Sequence, residues 1–183
     1  MLPWYHNLQY DRPTFPPDHY GFTREERGRY AGLALEFLLN DTKPDFMSKQ
    51  ILPDGTPLYN ERELRHMHDV KVVTRMTLAV WKIALIVVLS TAISLAWGAQ
   101  TRLMLRSGIM LGSAIVIVFL LLLGIYILFN FNSFFTRFHQ VLFEQGTWTF
   151  FYSDTLIRLF PIKFWSDASI LVAGVSLLNG LLL

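Results

Sequence analysis

Two histidines in the chain have the side-chain chemistry and the position for proton transfer beside a membrane. His66 lies in the polar segment 60–71, which reads NERELRHMHDVK, and His139 lies in the segment 138–165; each segment borders a long apolar run. An imidazole changes its charge near neutral pH, so it can act as a general acid or base. His66 and His139 are therefore the candidate catalytic residues.

The segment around His66 has the pattern of a helix N-terminus. Asn60 followed by Glu63 is a capping box, which predicts a helix that begins there and continues into the next apolar run. Glu63 and Asp69 each lie three residues from His66, and Asp69 could orient the imidazole and set its tautomer. Spacing alone favours a plainer interpretation, a solvated helix end with a cap. His68 lies on another face, and an H-x-H pair on a helix is a poor chelate, so we expect no metal site.

The segment around His139 is rich in aromatic residues. Of the 27 aromatic residues in the chain, 14 lie within 126–165, which is typical of an amphipathic helix and a loop at headgroup depth. That interpretation does not explain His139, Asp154 and Arg158 in the same stretch, because ionisable groups near lipid usually mark function. Asp154 is as well placed to cap a short helix at LIRLF as to take part in catalysis, and residues 148–152 could form a strand.

Composition indicates that much of the chain lies in a membrane. The chain is 52% hydrophobic and only 16% charged, where a soluble domain has about 25% charged residues. Residues 109–129 carry no charge and 76–100 carry only Lys82, so both are long and apolar enough for spans. Residues 166–183 predict a third span that is short or truncated. The net charge of +2, without a basic cluster, argues against a nucleic-acid partner, and the lack of cysteine excludes disulfides.

The charges between the spans predict the orientation of the chain. Residues 101–108 hold Arg102 and Arg106 and no acidic group, which makes this loop cytoplasmic by the positive-inside rule. Residues 1–75 and 130–165 then share the extracytoplasmic side, since two spans separate them. We therefore expect an α-helical integral membrane protein of three spans, with a small mixed extracytoplasmic domain built from the N-terminal region and the loop before the last span.

The N-terminal region 1–75 has three local signals. Its first 22 residues are rich in proline and aromatic residues and predict loop or extended structure. Thr23 with Glu26 is a capping box that predicts a helix in the next segment, and LPDGTPLY predicts a turn. The apolar core of a signal peptide is missing before residue 76. Either the first span inserts with its N-terminus outside, or an upstream helix, outside this sequence, carries the region across the membrane; we expect the upstream helix.

Three sequence blocks, in this order, resemble one family. They are NERELRHMHDVK before a span, FTRFH followed by an aromatic-rich W-x-F, and SDTLIRLFPIKFW, and the likeness runs from Tyr20 to Trp165. Together they resemble the bacterial integral membrane family whose characterised members are the lipoprotein intramolecular transacylases. The resemblance implies four spans in the family, against three here.

The resemblance also implies an acyl transfer on the diacylglyceryl-cysteine of a bacterial lipoprotein, at the outer side of the cell membrane. The sn-2 acyl chain would move from glycerol to the α-amino group of the N-terminal cysteine, without a metal or other cofactor. His66 and His139 match the two site histidines of the family, and we expect His139 to act as general base and His66 as acid and oxyanion stabiliser. The implied partners are a diacylated lipoprotein and membrane lipid. The residues expected to support the histidines are Glu63, Asp69, Arg62, Asp154 and Arg158.

A second hypothesis of another class stays open, in which the chain is a non-catalytic membrane protein whose outer domain binds lipid or a protein partner. The distance between the two imidazoles separates the two hypotheses. Both side chains within roughly 6 Å of one lipid-accessible pocket favour the enzyme. Imidazoles on separate faces favour the binding protein.

Overall fold

The computed structural model describes residues 4–43 and 45–181, which form helices joined by loops. Within these ranges there is no strand, and the one β-bridge is an isolated antiparallel contact between Ile51 and Pro57. The predictions of a mixed domain and of a strand at 148–152 are therefore wrong. The helices are α1 (Tyr5–Tyr10), α2 (Arg24–Leu39), α3 (Glu61–Ala96), α4 (Ala99–Leu142), α5 (Thr155–Leu159) and α6 (Ile162–Leu181).

The chain divides into two compact units. The first unit comprises the residues up to Thr74 together with Phe135–Ser166, and it contains both candidate histidines. The second unit comprises Arg75–Phe134 and the residues from Asp167 onward, so it holds most of the three long helices.

Helix α1 lies where the sequence predicts loop or extended structure, so that expectation is wrong. The ring of Tyr5 packs edge-on against Phe164 with 5.3 Å between ring centroids. The hydroxyl of Tyr10 donates a hydrogen bond to the carbonyl of Leu159 at 2.7 Å. Both partners lie about 150 residues further along the chain, and such tertiary contacts can override weak local propensity.

The two local predictions for the next segment are confirmed. Thr23 and Glu26 form the capping box of α2: the Thr23 hydroxyl accepts from the Glu26 amide at 3.1 Å, and the Glu26 carboxylate accepts from the Thr23 amide at 2.9 Å. The predicted turn is closed by the amide of Gly55, which donates to the Leu52 carbonyl at 2.9 Å. Gly55 has φ of 85°, a conformation in which a glycine avoids steric cost.

The core of the first unit joins α2 to the first turns of α3 and to α5. Side chains from all three helices and from the loop between α2 and α3 are buried together, so this unit has an apolar core of its own. The buried members are Tyr30, Ala34, Phe37, Met47, Leu58, Tyr59, Met67, Leu156 and Leu159.

In the second unit, the apolar helices leave their side chains exposed. Within the described residues, α3 and α4 are long and apolar enough to cross a membrane. Their most apolar stretches bury 0% and 6% of their residues, whereas the core helix of a soluble protein would bury most of them. Helix α6 is not among these two, so the third span at 166–183 stays a prediction.

The connection between the two apolar helices is shorter than expected. Helix α3 ends at Ala96 and α4 begins at Ala99, so residues 101–108 are helical rather than a loop. Helix α4 is interrupted at Asn130, whose φ of −148° and ψ of 48° are not helical. The polypeptide between this kink and Leu142 is the helix that carries His139.

Candidate active site

His66 is positioned by the capping box that the sequence predicts at the start of α3, which is confirmed. The Glu63 carboxylate accepts from the Asn60 amide at 2.8 Å, and the Asn60 side-chain oxygen accepts from the Glu63 amide at 3.0 Å. The second carboxylate oxygen of Glu63 accepts from the amide of Leu156 at 2.7 Å, at the N-terminus of α5. Glu63 is only 1% exposed, so one buried carboxylate fixes the α3 turn below His66 against α5.

His139 is held in one orientation by its own helix. Its Nδ1 lies 2.8 Å from the carbonyl oxygen of Phe135, one turn earlier in α4. A carbonyl can only accept, so this nitrogen must carry the proton when the imidazole is neutral. The other nitrogen, Nε2, is then the lone-pair acceptor, which is the state that a general base needs.

The structure brings the two histidines together. Their imidazole rings are stacked, with 6.0 Å between centroids and 25° between planes. The phenyl ring of Phe143 contacts both, at 4.9 Å from His66 and 5.4 Å from His139. The other aromatic rings around the pair are Phe150 against His66, and Phe135, Phe138 and Trp148 against His139.

Both imidazoles favour the neutral form. Burial, with a smaller effect of neighbouring His139, lowers the pKa of His66 from 6.5 to about 4. Burial also lowers the pKa of His139, against the opposing effect of its hydrogen bond to Phe135. At neutral pH the pair is therefore uncharged, with one nitrogen of each ring able to donate and the other able to accept.

Two buried ring nitrogen atoms at this site have no hydrogen-bond partner among the described residues. They are Nδ1 of His66 and Nε1 of Trp148. Trp148 was not predicted as a functional residue. Its place in the W-x-F block was the available signal, and burial of a single indole nitrogen cannot be read from sequence.

Asp69 does not orient His66. Within the described chain, Nδ1 of His66 accepts or donates no hydrogen bond, and Asp69 is not among the partners of this ring. His68 is exposed, on the face of α3 away from the pair. Among the described residues, no group of three histidine or acidic side chains is arranged to hold a metal ion.

Asp154 lies next to α5 but does not cap it with its side chain. Its carboxylate accepts from the Phe151 amide at 2.9 Å and from the Asn60 side-chain amide at 3.1 Å. The Arg62 guanidinium lies 3.7 Å from the same carboxylate. The cap of α5 comes instead from Glu63, so two acidic residues together join the α3 N-terminus to the loop before α5.

Arg158 forms a buried ion pair with Asp18. Its Nε and Nη2 donate to the Asp18 carboxylate at 3.2 and 2.8 Å, and the two side chains are 11% and 2% exposed. The guanidinium also lies 3.3 Å from the ring centroid of Phe22. Burial would raise the pKa of Asp18, but the hydrogen bonds from Arg158 and Phe22 hold it below its usual range.

A polar cleft of about 780 Å³ lies at the start of α3, and neither His66 nor His139 is among its lining residues. Arg62 lines the cleft one helical turn before His66, and Thr147 lines it next to Trp148. The lining combines both signs of charge with amide groups. The other lining residues include Asn60, Arg65, Glu144, Gln145 and Asp154.

Comparison with known proteins identifies the family. The family model for the lipoprotein intramolecular transacylase Lit matches residues 1–165. An uncharacterized protein of Aquifex aeolicus (strain VF5) is 36% identical over 175 residues, which cover 95% of this chain and 77% of that relative. No solved structure matches the chain. Since the family model covers most of its length, the chain belongs to the lipoprotein intramolecular transacylase family.

Proposed function

We propose that the protein catalyses intramolecular acyl transfer on a diacylated lipoprotein, moving the sn-2 acyl chain from glycerol to the α-amino group of the N-terminal cysteine. The observation that carries the proposal is the pair of neutral imidazoles of His66 and His139, whose ring centroids lie 6.0 Å apart within one cluster of aromatic rings. Imidazoles on separate faces would have favoured a non-catalytic binding protein. The family match supports a lipoprotein substrate.

His139 acts as the general base in this proposal. Its Nε2 carries the free lone pair because Nδ1–H is donated to Phe135. As the substrate amine attacks the ester carbonyl carbon, Nε2 takes the proton that the amine loses. The donor ester and the acceptor amine belong to one substrate molecule. Holding these two groups close together therefore supplies much of the rate acceleration.

His66 stabilises the oxyanion that forms on the carbonyl oxygen. A pKa of about 4 leaves its imidazole neutral at pH 7, so it donates a hydrogen bond from a ring N–H rather than acting as a cationic acid. The buried Nδ1 has no partner in the described structure, which leaves it available to a substrate.

Collapse of the tetrahedral intermediate completes the transfer. The bond between the carbonyl carbon and the sn-2 oxygen breaks, and the departing alkoxide takes the proton that His139 holds. The products are an N-acylated cysteine and a lyso-glyceryl group, and the imidazole returns to its neutral form. Atoms and charge balance without an external nucleophile, water or cofactor.

The supporting residues position other side chains and do not touch the reacting atoms of the substrate. Glu63 fixes the turn below His66, and Arg62 with Asp154 shapes the wall of the polar cleft. Arg158 stabilises the fold of the first unit through Asp18. Nδ1 of His66 has no hydrogen-bond partner among the described residues, so Asp69 takes no part in the chemistry.

The proposed location is a bacterial cell membrane, with the chain crossing it more than once and the first unit on the extracytoplasmic side. The exposed apolar stretches of α3 and α4 support this location. Exposing such surfaces to water is unfavourable, whereas contact with lipid is not. Arg102 and Arg106 near the connection of these helices favour that connection as cytoplasmic.

The test is mass spectrometry of a lipoprotein N-terminus from bacterial cells that have no transacylase of their own, with and without this protein. We expect the wild-type protein to produce the N-acylated lyso form. His139→Ala and His66→Ala should each reduce its formation at least about 100-fold, the usual loss for a general base or an oxyanion donor. His68→Ala is the matched control, because His68 is exposed on the same helix, and it should retain activity. Full activity of His139→Ala would refute the mechanism.

A further inference from the structure

We infer that Trp148 is a second oxyanion donor, whose indole Nε1–H binds the carbonyl oxygen of the transferred acyl group beside His66. The inference rests on the proposed function, which assigns the chemistry to the histidine pair. The only polar group of the Trp148 side chain is a hydrogen-bond donor. Its role was not predicted from the sequence.

The first observation is the state of the indole nitrogen. Nε1 of Trp148 is buried and has no acceptor among the described residues. An indole N–H can only donate, and a buried donor without an acceptor reduces the stability of the fold. A buried donor without a partner requires an explanation, and an acceptor atom on a bound substrate supplies one here.

The second observation is the contrast with Trp165 in the same unit. Its Nε1 donates to the carbonyl of Phe160 at 3.1 Å, so this indole is satisfied by the protein itself. Both tryptophans pack among aromatic rings. The protein supplies an acceptor for the indole N–H of Trp165, and none among the described residues for that of Trp148.

The third observation is the position of Trp148 beside the base. Its ring lies 5.1 Å from the ring of His139, with 40° between planes. The amine that gives its proton to His139 must bond to the ester carbonyl carbon, so the developing oxyanion forms within a few ångströms of both rings. Arg62 also has a buried Nε without a partner, but its guanidinium packs on Phe150 and Phe151 rather than on a histidine.

The chemical consequence is differential binding. The ester carbonyl oxygen carries a partial charge in the bound substrate and close to a full negative charge in the tetrahedral intermediate. Donors from His66 and Trp148 therefore bind the intermediate more strongly than the substrate, which raises kcat rather than lowering KM.

The experiment compares Trp148→Phe with Trp165→Phe in the full-length protein, in detergent or liposomes, with a diacylglyceryl-modified lipopeptide as substrate. Phenylalanine keeps an aromatic ring and removes the N–H. We expect Trp148→Phe to lower kcat about 100-fold, with KM changed less than about threefold and the acid limb of the pH profile unmoved. Trp165→Phe should retain kcat within about threefold.

A second measurement keeps the inference testable if Trp148→Phe is less stable. An alkylphosphonate that mimics the tetrahedral intermediate should bind wild type more tightly than Trp148→Phe by the same factor as the loss in kcat/KM. A wild-type kcat in Trp148→Phe, or equal phosphonate affinity in both proteins, would overturn the role of Trp148 alone. Failure of the wild-type protein to acylate the lipopeptide would instead overturn the proposed function.

Discussion

Replacing Asp18 tests how strongly the first unit depends on a buried ion pair. The Asp18 carboxylate is 2% exposed and binds the Arg158 guanidinium, itself 11% exposed, at 2.8 Å. Asp18→Asn removes the negative charge and places an amide donor against a guanidinium donor. Because it leaves a buried cation uncompensated, we expect a loss of about 3–5 kcal/mol in the free energy of unfolding.

A second aspartate–arginine pair in the same unit provides the control. Asp11 and Arg24 are 2.7 Å apart, but their side chains are 61% and 38% exposed. Solvent screens such a pair, so Asp11→Asn should cost less than about 1 kcal/mol. The two substitutions remove the same charge from pairs of similar length, and they differ mainly in burial.

The assay is thermal unfolding of the detergent-solubilised protein at pH 7.5, followed by intrinsic tryptophan fluorescence. For a chain of this size, about 3–5 kcal/mol corresponds to a fall in Tm of roughly 10 °C, against at most a few degrees for Asp11→Asn. The double variant Asp18→Asn/Arg158→Met removes the stranded cation and should recover part of the loss. Equal Tm values for Asp18→Asn and Asp11→Asn would refute the assignment of Asp18–Arg158 as a stabilising buried pair.

Two further predictions concern the same unit. Gly32→Ala in α2 should raise the free energy of unfolding by about 0.5–1 kcal/mol, because the added Cβ meets open space. Gly28→Ala should have a lower Tm than Gly32→Ala, because its Cβ would lie 2.8 Å from a side-chain oxygen of α1. Identical Tm shifts would contradict the close α1–α2 contact. The lowered pKa of His66 means that its contribution to stability is complete above pH 6.5 and falls by at most about 1.4 kcal/mol per pH unit as pH drops toward about 4. Between pH 7.5 and 5, Tm should therefore fall less in His66→Gln than in wild type, and parallel curves would be evidence against a buried neutral imidazole.

Local signals in the sequence predicted the structure correctly where the interacting groups are only a few residues apart. The capping boxes at Thr23 and Asn60 are both present, because each consists of hydrogen bonds across three residues that the sequence itself specifies. The turn around Gly55 is present for the same reason. These signals located the helix that carries His66, although the composition of residues 60–71 gave no indication of its burial.

Predictions failed where the deciding contact is distant in sequence. Helix α1 depends on Phe164 and Leu159, which a local pattern cannot include. Asp154 had a plausible place as a helix cap, but its carboxylate binds Asn60, 94 residues away, and the cap comes from Glu63. The aromatic run at 148–152 has strand propensity but finds no partner strand among the described residues, and β-propensity without pairing does not produce a sheet.

Under the proposed function, the environment of the pair decides which histidine carries the proton during the transfer. A proton on His139 further disfavours a proton on His66, because their rings are 6.0 Å apart in surroundings of low polarity. One imidazole must therefore both remove the amine proton and return it to the departing alkoxide. His139 is better suited, since its hydrogen bond to the Phe135 carbonyl favours its charged form and His66 has no equivalent acceptor among the described residues. His66 then stays neutral throughout and serves as a hydrogen-bond donor, which assigns acid and base to one residue rather than dividing them between two.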